Sequence, residues 1–299
     1  MSNSHAFFFV KSTRIASVAN MLSKGLRALA GSRLSPFAPR SRGYASLVSS
    51  EWLFGTERKL LVVDCEQPAV FQRAHIPGAQ PLALAATGLK STGVIDQRAF
   101  EQVLALLRVE EDATLVFYDD DSGLRILYDT KVLDGGWKQW VADTNGVETG
   151  PPHKIEPTAS FWNSVTDNGA LVDLIAVKKG LADGTTQFVD SRTPAEYSGV
   201  NANGNARAGH VPSAVNFDWT NAVDRTGTGR FKSEKELEFV FSDVLALRKD
   251  APVVTYCQRG IRAAHTAFVL SEVLGFSDVK VYENSMAQYL NRDDTAVEQ

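Results

Sequence analysis

Cys257 is followed by Gln258, Arg259, Gly260, Ile261 and Arg262, which puts one thiol within five positions of two guanidinium groups. The residues before it, Val253-Val254-Thr255-Tyr256, are apolar and β-branched and predict a buried strand. After it, Ala264, Ala267, Phe268 and Leu274 fall on one helical face, and Gly275 marks the stop. Cys257 is therefore expected where a strand hands over to a helix. A loop in that place aims successive backbone N–H groups, and the positive end of the helix dipole, at its own centre, which makes an anion cradle. A thiol at the rim of such a cradle, close to Arg259 and Arg262, is favoured as thiolate, and a thiolate is a nucleophile. A lone cysteine in apolar surroundings is most often an inert core residue. Burying two arginines beside a structural thiol would serve no packing purpose, so the flanks turn the reading towards chemistry. The positions that cradle an anion are then Gln258, Gly260 and Ile261.

The elements that must hold this loop occur twice. Leu61-Val62-Val63-Asp64-Cys65-Glu66 followed by Ala74-His75-Ile76-Pro77-Gly78-Ala79 returns as Phe188-Val189-Asp190-Ser191-Arg192 followed by Gly209-His210-Val211-Pro212-Ser213-Ala214. A helix face follows in each copy: Phe100, Val103, Leu104 and Leu107, then Leu237, Val240, Phe241, Val244 and Leu245. Ser233 and Glu236 stand at capping-box spacing before the second. A short apolar strand comes next in both, Leu115-Val116-Phe117-Tyr118 and Val253-Val254-Thr255-Tyr256. Strands alternating with helices predict two α/β domains, each a parallel sheet flanked by helices. Residues 145–160, rich in Gly and Pro, read as the linker between them. Arg192 and Asp190 fall just past a strand, where α/β sheets place ligand-binding groups, and Asp190 or Glu196 is the expected partner that holds the Arg192 guanidinium. His75 and His210 recur at the same turn and are expected to be structural. Cys65 inside a strand is expected to be a buried thiol. His265, in the first turn of the helix after Cys257, is expected to face either the loop or solvent, and Phe217 and Trp219 to pack.

Tyr256 to Arg262 resembles the active-site loop of the rhodaneses, and the whole chain resembles the two-domain form of that sulfurtransferase family. The resemblance implies a catalytic Cys257 that carries sulfur as a persulfide, with Arg192, Arg259 and Arg262 binding the substrate. It implies a small anionic donor such as thiosulfate, a thiol or cyanide acceptor, a thioredoxin-like reductant among the partners, and a monomer that needs no metal or organic cofactor. A mercaptopyruvate-using relative usually has a neutral Cys-Gly-Ser/Thr-Gly-Val-Thr loop, so the charged loop here favours a smaller, more highly charged donor. A phosphatase of similar fold uses Cys-x5-Arg, whereas Cys257 and Arg262 make Cys-x4-Arg. A non-enzymatic persulfide carrier or binding module would share these residues. In the first copy Asp119, Asp120 and Asp121 stand where Cys257, Gln258 and Arg259 stand in the second, and Glu66 stands for Arg192. Carboxylates repel an anionic substrate, so the first domain is expected to be catalytically inactive. It is also shortened: Tyr118 and Asp134 are 16 positions apart, against 27 for Tyr256 and Glu283. Either the helix after the loop is largely lost, or the sequence carries a splicing or gene-model defect. The Asp134-Gly135-Gly136-Trp137 motif that closes the family's domains reads Glu283-Asn284-Ser285-Met286 in the second copy, a departure that bears on the last strand and helix.

Residues 1–44 hold Lys11, Arg14, Lys24, Arg27, Arg33, Arg40 and Arg42 and no acid. That composition predicts a transit peptide for the mitochondrial matrix, with a plastid or the cytoplasm as alternatives. The apolar run Phe7-Phe8-Phe9-Val10 is too short for a membrane span. Removing those seven charges from a formal net charge of −4 leaves −11, which excludes nucleic acid as a partner. Two cysteines at unrelated positions give neither a disulfide framework nor metal spacing. The expected division is 1–44 transit peptide, 45–144 inactive domain, 145–160 linker and 161–299 catalytic domain.

Overall fold

The computed structural model describes residues 47–56, 59–82, 107, 113–120, 131–153 and 170–299. The expected presequence, the shortened stretch at 121–130, residues 154–160 and all but Leu107 of the first-domain helix lie outside these. The first sheet contains β1 (Leu47–Val48), β2 (Leu60–Asp64), β3 (Gln80–Pro81), β4 (Thr114–Tyr118) and β5 (Lys131–Leu133). The second contains β6 (Leu171–Val172), β7 (Gln187–Asp190), β8 (Val215–Asn216), β9 (Val253–Tyr256) and β10 (Val279–Tyr282). The helices are α1 (Ser50–Gly55), α2 (Pro68–Arg73), α3 (Gly136–Ala142), α4 (Leu174–Asp183), α5 (Pro194–Tyr197), α6 (Glu234–Glu238), α7 (Ile261–Phe268) and α8 (Ser285–Tyr289).

Both sheets are parallel throughout, ordered β1-β5-β4-β2-β3 and β6-β10-β9-β7-β8, so the second repeats the first strand for strand. The central strands are apolar on both faces because helices cover both sides of such a sheet; all four residues of β9 are buried. The repeat extends to single hydrogen bonds. The Tyr118 hydroxyl donates to Asp64 and accepts the Ile76 N–H (3.1 Å), and the Tyr256 hydroxyl accepts the Val211 N–H (3.1 Å). His75 Nδ1 lies 2.8 Å from the Phe71 carbonyl with its ring stacked on Phe71, and His210 Nδ1 lies 2.8 Å from the Tyr197 carbonyl with its ring on Tyr197. Glu148 accepts the N–H of Gly78 (2.9 Å) and Glu298 that of Ser213 (3.0 Å). Both histidines thus brace a turn, the structural role expected of them.

The shortened first domain keeps its topology for a countable reason. Twelve residues separate β4 from β5, against 22 between β9 and β10. A crossover between parallel strands needs about a dozen, so the first copy retains the minimum.

α6 begins with the expected capping box, Ser233 and Glu236 each satisfying the other's backbone N–H. It then widens: the Leu245 N–H reaches the Val240 carbonyl, five residues back, at 2.9 Å. Leu237 and Phe241 are buried as their spacing predicts, but Val244 is 61% exposed. A wider turn rotates each later side chain away from the 3.6-residue stripe, which corrects the expectation for Val244. α7 widens in the same way, the Leu274 N–H reaching Val269. Its face of Ala264, Ala267, Phe268 and Leu274 is buried.

The two domains meet through Asp134 and the segment after β8. The Asp134 carboxylate accepts the Phe231 N–H (2.9 Å) and Arg230 Nε (3.2 Å). Burial pushes the Asp134 carboxyl above its ordinary range, and those two donors pull against the rise. Val132 of β5, with Leu47 beside it, packs into the second domain's main core with Phe217, Phe241 and Phe268.

Candidate active site

β9 delivers Cys257 to the end of the sheet, and α8 fixes it there. The Cys257 N–H donates to the Ser285 hydroxyl (3.2 Å), which itself donates to the Tyr282 carbonyl (2.7 Å). The carbonyls of Cys257 and Gln258 accept the N–H groups of Met286 (3.0 Å) and Ala287 (2.9 Å) at the start of α8. These contacts pin the loop backbone to α8. The N–H groups of Gln258, Arg259, Gly260, Ile261 and Arg262 donate to no acceptor among the described residues, which leaves a run of open donors directly after the thiol in the chain. Gly260, at φ +91°, makes the turn into α7, and a Cβ there would lie 3.1 Å from the Glu283 carbonyl oxygen. The last strand and helix of this domain form in spite of the Glu283-Asn284-Ser285-Met286 departure. Ser285 holds φ +46°, close to the +51° of Gly136 in the first copy, and its side chain is spent on the backbone of Cys257.

Three arginines surround the loop in three different states. Arg192 is fully buried; its Nε lies 3.0 and 3.1 Å from the two Asp190 oxygens, and its Nη2 donates to Asp190 (2.6 Å) and to the Gly209 carbonyl (2.8 Å). Burial disfavours that cation, and the Asp190 carboxylate more than offsets it. Nη1 of Arg192 is buried with no hydrogen-bond partner. Arg262 gives Nη1 (2.7 Å) and Nη2 (2.9 Å) to the two oxygens of Glu196. Burial pushes the Glu196 carboxyl up, but Arg262, the Thr193 backbone and the Asn203 amide overcome this and hold it at about 2. Arg259 is exposed and has no ion pair among the described residues. The two carboxylates expected near Arg192 therefore divide: Asp190 holds Arg192, and Glu196 holds Arg262.

Other side chains settle as packing. His265 is fully buried, its ring on Phe231 (5.0 Å) and edge-on to Trp219 (5.2 Å), which corrects the solvent-facing alternative. Phe217 packs on Phe241. Cys65 is buried in the first domain at the place of Ser191, the N–H of each donating to the tyrosine carbonyl that ends the neighbouring strand. Asp119 takes the place of Cys257: its carbonyl accepts the Trp137 N–H at 2.9 Å as that of Cys257 accepts Met286. Glu66 takes the place of Arg192, its N–H on Asp64 as that of Arg192 is on Asp190.

A strand-to-helix thiol followed by an open run of N–H groups, in the second of two matching sheets, narrows the family, and the comparison with known proteins decides it. The Rhodanese-like domain family matches residues 53–143 and again 174–292. The chain belongs to the rhodanese-like family. It is similar to the thiosulfate sulfurtransferase of Corynebacterium glutamicum, 30% identical over 268 residues that cover 82% of this chain and 87% of that one. It is likewise similar to the sulfur carrier protein TtuD of Thermus thermophilus, 31% identical over 281 residues covering 83% and 96%. Among solved structures, YnjE superposes with a TM-score of 0.70 at 19% identity, over 85% of this chain and 68% of that one. Tum1 protein from Saccharomyces cerevisiae superposes at 0.68 with 14% identity, over 84% and 97%. At those identities the two structures bear on fold alone. The family and its named members make this rhodanese-like protein an enzyme of the sulfurtransferase class.

Sequence reasoning missed Ser285 and Asn205. Serine in place of a glycine, one helix away from the thiol, was the only signal of the first. The second lies in a loop with no motif of its own.

Proposed function

We propose that this rhodanese-like protein takes the outer sulfur of thiosulfate onto Cys257 and hands it to a thiol or cyanide. The observation that carries the proposal is the run of open N–H groups at residues 258–262 directly after the thiol in the chain, with the unpartnered, buried Nη1 of Arg192 in the same domain. The Cys257 thiolate attacks the outer sulfur. A sulfur–sulfur bond forms to the protein as the one in thiosulfate breaks, and its electron pair leaves with sulfite. Arg259, exposed and unpaired, and Nη1 of Arg192 are the groups able to take the charge of donor and leaving sulfite. The persulfide is left as an anion inside the ring of N–H groups, which stabilise it as an oxyanion hole would. A cyanide or thiolate then attacks the terminal sulfur, and its bond to Cys257 breaks to restore the thiolate. The first domain, with Asp119 and Glu66 in the matching places, takes no sulfur in this scheme. The presequence composition supports the mitochondrial matrix as the place of work.

The relative named as a sulfur carrier favours a second reading, in which the persulfide waits for a protein acceptor instead of turning over with a small one. The test is the rate of thiocyanate formation from cyanide, with thiosulfate and with mercaptopyruvate as donors. Faster turnover with thiosulfate, abolished in Cys257→Ser, is expected. A preference for mercaptopyruvate overturns the donor, and a persulfide that forms but is not discharged by cyanide favours the carrier.

A further inference from the structure

We infer that Asn205 is a positioning residue for the sulfur-accepting loop. The inference rests on the reading of Cys257 as the sulfur acceptor. Asn205 and Gln258 make a reciprocal amide pair: Asn205 Nδ2 donates to Gln258 Oε1 (3.1 Å) and Gln258 Nε2 donates to Asn205 Oδ1 (2.9 Å). Gln258 is the residue directly after the thiol, and its N–H is the first of the open row. Its side chain is fixed by Asn205, and the Cys257 carbonyl that shares a peptide plane with its N–H is fixed by Met286, so that plane has little freedom left.

Asn205 is itself held from two sides. Its Nδ2 also donates to the Ala202 carbonyl (2.8 Å), and its Oδ1 also accepts Asn291 Nδ2 (3.0 Å). Asn291, just past α8, accepts the Ala206 N–H (2.8 Å) and donates to the Ala287 carbonyl (2.9 Å). The same short loop sends Asn203 Nδ2 to Glu196 Oε1 (2.8 Å), the carboxylate that occupies Arg262. One loop thus grips both ends of the 258–262 segment, Gln258 directly and Arg262 through Glu196. Asn203 at φ +48° and Gly204 at φ +76° give this loop a tight turn that brings Asn203 and Asn205 to their partners. An amide held on both of its atoms cannot swing towards the thiol. The pair thus keeps the Gln258 side chain away from the arriving donor and keeps its N–H aimed at the sulfur.

The experiment measures single-turnover persulfide formation with thiosulfate, alongside the thermal midpoint, in the full chain. Loss of two neutral hydrogen bonds predicts that Asn205→Ala slows sulfur uptake by about tenfold. Asn205→Ala combined with Gln258→Ala should be no slower than Gln258→Ala alone, since the effect acts through that side chain. Gln187→Ala is the control, because Gln187 likewise makes two neutral hydrogen bonds, accepting the Arg248 N–H (2.8 Å) and donating to the Arg248 carbonyl (2.9 Å), neither of them to residues 257–262. It should shift the midpoint and leave uptake at the wild-type rate. Equal slowing in Gln187→Ala and Asn205→Ala, or additive losses in the double variant, overturns the inference. Absence of any adduct on the wild type would instead overturn the reading on which it rests.

Discussion

At the scale of the residue, the three arginines have three environments and should fail in three ways. Arg259→Ala removes an exposed, unpaired charge, so it should cost about tenfold in kcat/KM for thiosulfate and leave the urea midpoint in place. Arg262→Ala leaves the buried Glu196 carboxylate without its cation, and should cost about 3 kcal/mol of stability in the same urea titration. Glu196 also sets an acid limit. Its folded value of about 2 lies below the ordinary 4.5, so the stability it contributes is full above pH 4.5 and is lost as pH falls towards 2. Stability measured across that window should fall less steeply in Glu196→Gln than in the wild type. The place of Cys257 and its flanking arginines between a strand and a helix was legible in the sequence because apolar pattern and spacing carry it. Which carboxylate met which arginine was not. Asp190 and Glu196 lie two and four positions from Arg192. Only the path of the loop after β7 decides that the nearer one turns back while the farther one reaches Arg262 across the site.

At the scale of the element, the strand-loop-helix unit works because α8 and one glycine fix its shape. Gly260→Ala puts a Cβ at φ +91°, 3.1 Å from the Glu283 carbonyl oxygen. It should cost about 1–2 kcal/mol and slow persulfide formation as well. Gly78→Ala is the companion case, at φ +76° with open space around the new Cβ and far from the thiol in sequence and domain. It should cost a similar amount in a urea titration while turnover stays unchanged. The strands and the helix after Cys257 were legible because both depend on short, local patterns of apolar residues. The widened turns after α6 and α7 were not, because a shift from i−4 to i−5 bonding leaves composition unaltered and shows itself only when Val244 fails to be buried. The persistence of α8 was equally hidden, since Ser285 meets by a side-chain hydrogen bond and a left-handed backbone what a glycine meets by having no side chain.

At the scale of the molecule, duplication was legible because each copy repeats its strand, turn and helix in the same order, and the matching sheet orders follow from it. The contact between copies was not, because the Asp134 pairing with Arg230 and Phe231 joins residues almost a hundred positions apart. The basic, acid-free residues 1–44 should carry a reporter fused to residues 1–50 into mitochondria, followed by imaging; a plastid or diffuse cytosolic signal contradicts that address. The central claim is that sulfur is taken by the second domain at one thiol. Peptide-level mass spectrometry after incubation with thiosulfate tests it most directly, since the described cysteines are only Cys65 and Cys257. One added sulfur atom on the peptide containing Cys257, absent in Cys257→Ser and retained in Cys65→Ser, is the predicted result. Added sulfur on Cys65, or a Cys257→Ser protein that still gains it, would contradict the account.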